Sequence, residues 1–204
     1  MKHIIIVILF QLLACSFLAQ SSNNKKLSKK EIQNFIGFSP SKAKKINGLA
    51  IKYWDEDFSD KKVNGIELGL NPLGIFFPFM TIMHSIPPFY HEPPVLSKTP
   101  ILKITNGLQL GISSLEEAKI NGIEINLAGN FNTIINGISI SPTINKHYKI
   151  SGISISPLGN FDGKVNGIQI GLFNKTNQLR GLQIGLWNKN SKRSLPFINW
   201  NFKK

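Results

Sequence analysis

The chain has 204 residues, a length that suits one domain, and carries 24 Lys and Arg against 11 Asp and Glu, a formal charge of +13. Its single cysteine, Cys15, excludes an intrachain disulfide framework and a cysteine-based metal site. A balance this basic draws in nucleic acid, anionic lipid or acidic glycan, and the export signal described next makes nucleic acid the least natural of the three.

Residues 1–19 read as a signal peptide. Lys2 is the charged start, Ile4 to Ala14 is a short apolar run broken by Gln11, and small residues follow. Eleven residues are too few to cross a bilayer, which takes about 20. Two cleavage sites compete. Leu12-Leu13-Ala14-Cys15 resembles a lipobox, which would lipidate Cys15 and tether the chain to a membrane. Ala19-Gln20 resembles an ordinary signal-peptidase site, and the apolar Phe17-Leu18 after Cys15 tilts the reading toward it. The chain is expected to be exported to the cell envelope, associated with the outer membrane or secreted.

Residues 20–45 read as a polar, Lys-rich linker with an N-terminal cap. Ser28-Lys29-Lys30-Glu31 fits a capping box opening a short helix through Ile32, Phe35 and Ile36. From 46 to 204 the chain reads as a single repeat β domain. An Asn-Gly pair marks copies at Gly48 and Gly65, then at Gly107, Gly122, Gly137 and Gly167, with Ser-Gly at Gly152 and Arg-Gly at Gly181. The last six glycines lie 15, 15, 15, 15 and 14 residues apart. A fixed short period sets the whole architecture.

Counting each glycine as position 0, +1 and +3 are apolar (Ile123 and Ile125, Ile168 and Ile170), +2 is mostly polar (Glu67, Gln109, Glu124, Gln169, Gln183) and +4 is small or polar. Period-two alternation is the mark of a half-buried strand. Position −2 is also apolar (Ile46, Val63, Ile120, Ile135, Ile150, Val165, Leu179) but of opposite parity to +1 and +3. A corner at each Asn-Gly would let both flanks share one core, leaving the Glu and Gln at +2 as ladders on an exposed face. Fifteen residues at ~3.3 Å make a circuit of about 50 Å. The fold class expected is all-β: a β-solenoid of ~15-residue coils with short N- and C-terminal caps. The alternatives are an antiparallel β-meander and an outer-membrane β-barrel, since Asn-Gly is also a strong hairpin signal and Phe197 to Phe202 alternates like a closing barrel strand.

One coil offers about four inward apolar side chains, each worth roughly 1.5–3 kcal/mol when buried. Ordering its backbone costs about 1–2 kcal/mol per residue. A lone coil loses, so only stacking makes the repeat stable.

An insertion at 71–100 interrupts the repeat. It holds seven prolines and the aromatics Phe76, Phe77, Phe79, Phe89 and Tyr90, the candidate partner-binding residues, since irregular insertions commonly carry function. His84, His91 and Glu92 within it match no metal-ligand spacing. Tyr53-Trp54-Asp55-Glu56-Asp57 reads as an acidic aromatic turn, His147-Tyr148 as a surface corner, and Phe197, Ile198 and Trp200 as a cap over the last coil. The adjacent carboxylates Asp55 to Asp57 and Glu116-Glu117 define no acid/base geometry. No nucleophile elbow, phosphate loop or zinc motif is present. No catalytic residue, cofactor or metal is assigned.

The run Leu179-Arg180-Gly181-Leu182-Gln183-Ile184-Gly185-Leu186-Trp187-Asn188, with Arg193 to Trp200 after it and Asn71-Pro72-Leu73-Gly74-Ile75-Phe76-Phe77 before it, resembles a bacterial family of surface repeat-containing proteins with GLQIGLxN repeats, found in spirochaetes and Bacteroidetes-type bacteria. The resemblance spans roughly Ile46 to Trp200 and is degenerate in the middle, where Ser replaces Gly or Gln. It implies a secreted or surface-associated repeat protein and no activity or ligand. The expected function is therefore a non-enzymatic envelope scaffold for structure, adhesion or binding, with an envelope or host glycan or protein as partner. The alternatives are an outer-membrane barrel and a solenoid enzyme on acidic polysaccharide.

Overall fold

In the computed structural model, residues 31–39, 41, 43–53, 61–70, 92–94, 101–114, 117–131 and 134–202 are described. The signal peptide with Cys15, and the insertion aromatics Phe76, Phe77, Phe79, Phe89 and Tyr90, lie outside these residues.

The described chain is all strand and turn: β1 (Glu31–Ser39), β2 (Ala43–Lys52), β3 (Lys61–Gly69), β4 (Lys103–Ser114), β5 (Ala118–Asn130), β6 (Ile134–Ile140), β7 (Ile144–Asn145), β8 (Lys149–Ile155), β9 (Gly159–Ile170), β10 (Phe173–Lys189) and β11 (Ser194–Asn201). They form one parallel β-solenoid of about eight turns, with coils of ~15 residues. Strands pair in the order β1-β2-β3-β4-β5-β6-β8-β9-β10-β11, all parallel until β11, which folds back antiparallel on β10. Parallel pairing of successive copies rules out the meander and the up-and-down barrel, both of which need alternating direction.

Register follows the repeat. Gly48, Gly65, Gly107, Gly122, Gly137, Gly152, Gly167 and Gly181 sit on one another. A second ladder joins Ser114, Asn130, Asn145, Asn160 and Asn174 across each coil. The insertion leaves this register intact, since Gly65 pairs directly with Gly107.

The glycine column is required by contact as well as by turn geometry. Gly137 has φ 143°, and a Cβ there would lie 1.8 Å from the carbonyl oxygen of Gly122 in the coil before it. No rotamer relieves such a clash, because the obstacle is backbone. The first coil proves the rule. Phe35 pairs with Gly48 and takes φ 75°, yet carries a side chain. No described strand precedes β1, and the Phe35 side chain is 86% exposed. The capping-box helix expected through Ile32, Phe35 and Ile36 is thus a strand. Part of the expected 20–45 linker is the first described coil, with Asn34-Phe35 standing where later copies have Asn-Gly.

The alternation keeps its parity through the glycine. Position −2 is the apolar core: Ile120, Ile135, Ile150, Val165 and Leu179 form one cluster, and Ile46 and Val63 another with Ala43 and Ala50 beside them. Position +2 shares that parity and is also inside. The expected corner that would bring +1 and +3 inward is absent, so those apolar columns face outward.

Candidate functional site: an aliphatic face over a polar interior

Because +2 and +4 point inward, the coil interior is polar. Glu67, Gln109, Glu124, Ser139, Ser154, Gln169 and Gln183 are all buried, which corrects the expectation of an exposed +2 ladder. Buried polar groups are tolerable only when hydrogen-bonded, and stacking supplies the partners. Asn130 donates to Asn145 Oδ1 (2.9 Å), Asn145 to Asn160 (3.0 Å), Asn160 to Asn174 (2.8 Å) and Asn174 to Asn188 (2.8 Å). The same amides also donate to the carbonyls of Ile140, Ile155, Ile170 and Ile184 in the facing wall. A second, half-buried ladder runs along the Asn before each glycine, from Asn136 through Asn121, Asn106, Asn64 and Asn47 to Asn34.

Two buried ionic clusters sit in this interior. Glu67 pairs with Lys103 and accepts from Thr105 Oγ1 at 2.8 Å. Burial pushes the Glu67 carboxyl up, but the Lys103 ammonium, aided by Lys52 and Thr105, outweighs it and holds the group below the usual carboxylate range. The second cluster centres on His147, expected at the surface and found fully buried. Its Nδ1 lies 2.6 Å from Asp162 Oδ1 and its Nε2 3.2 Å from Ser139 Oγ, with Glu124 Oε2 at 3.8 Å. Burial lowers the imidazole, and Asp162 and then Glu124 raise it further, to about 9. At neutral pH it is an imidazolium that donates from both nitrogens.

Ser139, His147 and Asp162 have the connectivity of a nucleophile, base and orienting acid. The chemistry does not follow. An imidazolium cannot take a proton, and all three residues are fully buried. Ser139 Oγ is already engaged, accepting from Asn130 at 2.8 Å and donating to Glu124 Oε2 at 3.2 Å. The cluster continues as a chain of amides. Gln169 donates to Asp162 Oδ2 (2.8 Å), Gln183 to Gln169 (2.7 Å), Asn199 to Gln183 (2.9 Å), and Arg193 Nε to Asn199 (2.9 Å). This arrangement bolts successive coils together.

The outer face is the inverse. Positions +1 and +3 place two aliphatic side chains outward on each of β3, β4, β5, β6, β8, β9 and β10. Ile66 is 44% exposed and Ile123 41%, and position +5 adds Leu70, Leu127, Leu172 and Leu186, each about half exposed or more. Six steps of ~4.8 Å by four residues of ~3.3 Å make a flat patch of about 400 Å². That matches the largest apolar patch of a typical monomer, which is often functional. Sequence periodicity found these columns but assigned them to the core.

At the C-terminal end, Phe197, Ile198 and Trp200 do not cover the last core as expected. They point outward on β11, while Asn199 goes inside. Arg193 stacks 4.4 Å over the Trp200 ring and bonds to its carbonyl. What seals the edge of β10 is the antiparallel backbone of β11. From the insertion, Glu92 pairs with Lys175, and Pro94 lies against Gly163, so this part packs on the flank of β9 and β10. Among the described residues no group of three or more His, Cys, Asp or Glu is placed to hold a metal ion. No family model, curated protein or solved structure matches the chain.

Proposed function

We propose that this protein is a non-enzymatic scaffold of the cell envelope, exported and held at a surface, whose flat aliphatic face is its contact site. The observation that carries this reading is the outward run of Ile and Leu over seven consecutive strands. Their partial exposure leaves roughly 1 kcal/mol of burial unrealised per side chain. Two per strand sum to about 14 kcal/mol, against an association cost of about 4–15 kcal/mol. The interior supports a rigid, structural role: Glu67 and Lys103 are paired, and the Ser139–His147–Asp162 array is buried with its imidazole held as an imidazolium.

Fractionating cells that express the chain tests the reading. The protein should sediment with the envelope, and Leu127→Ser with Leu172→Ser should release it while far-UV circular dichroism stays unchanged. A folded double variant that remains wholly in the envelope would remove the face from the argument. Deleting residues 76–90 in parallel scores the insertion aromatics separately.

A further inference from the structure

The contact face is bordered by charge of one sign. Position −3, separated from the aliphatic columns by the Asn column at −1, carries Lys45, Lys62, Lys119, Lys149 and Lys164, which the parallel register places in one line with Ile104 and Ile134 between. Lys62 and Lys164 are exposed, and Lys45, Lys119 and Lys149 are partly so. Arg180 extends the basic edge at the last coil, where it borders a shallow depression with Ile168, Leu182 and Phe202. Among the described residues, no Asp or Glu occupies an outward position from −3 to +5 on any strand of the stack from β2 to β10; the acids in that range, Glu67 and Glu124, are buried at +2.

From this charge pattern we infer that the face seats on an anionic lipid surface. This inference rests on the scaffold reading above and names its partner. The +1, +3 and +5 side chains enter the boundary between headgroups and acyl chains, and the lysine column reaches the lipid phosphates while its stems lie along the apolar edge. The face runs ~30 Å along the stack, a length over which a bilayer is flat. A second copy of this chain is the weaker occupant. It would cover the aliphatic columns, but it offers no carboxylate at the facing positions to neutralise the lysines. An acidic glycan would match the lysines and leave the aliphatic columns in water.

The test is cosedimentation with vesicles of phosphatidylcholine alone and of phosphatidylcholine with phosphatidylglycerol. The full chain and residues 20–204 are run side by side, so that the apolar run Ile4 to Ala14 and Cys15 are scored apart from the solenoid. Residues 20–204 should bind the anionic vesicles and lose binding as salt rises. Each lysine is worth about fivefold in partitioning, so Lys119→Gln with Lys149→Gln should weaken it about 25-fold. Leu127→Ser with Leu172→Ser should weaken it too, and Lys146→Gln, off the column, should not. Equal binding to both vesicle types, or none by folded protein, overturns the lipid assignment. A dimer in sedimentation velocity that the Leu pair abolishes, without vesicle binding, gives the face to a second copy; the scaffold reading would then stand and the lipid inference fall.

Discussion

Replacing Gly137 by Ala tests the stacking geometry directly. The added Cβ would sit 1.8 Å from the Gly122 oxygen, and ordinary contact needs more than 3.0 Å. The coils must part by more than 1 Å where adjacent strands are only ~4.8 Å apart. Hydrogen bonds stretched that far are lost. Losing two ladder bonds at about 1 kcal/mol each, with about 1–3 kcal/mol for forcing Ala into φ near 143°, gives a cost of about 3–5 kcal/mol. Gly69→Ala is the control. Its Cβ would meet nothing closer than 3.7 Å, and no left-handed φ is involved. It should be neutral, or stabilising by up to about 1 kcal/mol through the unfolded chain. Phe35→Gly should also stabilise slightly, because it relieves the positive φ at the open end. Urea denaturation followed by circular dichroism reads all three. A Gly137→Ala protein within about 1 kcal/mol of the parent would refute the column.

Two further outcomes follow from the interior. The folded pKa of His147 is raised above its ordinary 6.5 to about 9. Its contribution is therefore complete below pH 6.5 and lost as pH climbs through about 9. The parent should lose on the order of 3 kcal/mol across that window, and His147→Gln should lack this component; identical pH profiles for the two proteins would disprove the ion cluster. Asn160→Ala should cost about 3 kcal/mol, since it leaves the Ser154 hydroxyl without its acceptor and Asn174 Oδ1 without its donor inside the coil. Asn121→Ala, in the half-buried outer ladder, should cost under about 1 kcal/mol because water replaces the partner; thermal unfolding of both variants compares them.

Much of the architecture was legible from spacing alone. The recurrence of Asn-Gly at 15 residues and the two-residue alternation around it determine a strand per copy, one coil per period, and glycine over glycine. The first described coil escaped notice because Phe35 stands where later copies have glycine. His147 escaped because its partners lie one full coil and more away, at Asp162 and Glu124, and residues that far apart become neighbours only when coils stack.

Which side of the strand faces inward was decided by the tertiary structure. Hydrophobicity within one copy argues for +1 and +3 inside: around Gly167, Ile168, Ile170 and Leu172 share that parity and Val165 has the other. A single coil would indeed strand Gln, Glu and Asn if it buried +2. Stacked at ~4.8 Å, each amide instead finds the same amide above and below it, so the polar side becomes the cheaper one to enclose. The aliphatic columns are left to the outside, and that inversion, invisible in any one repeat, creates the face on which the function rests.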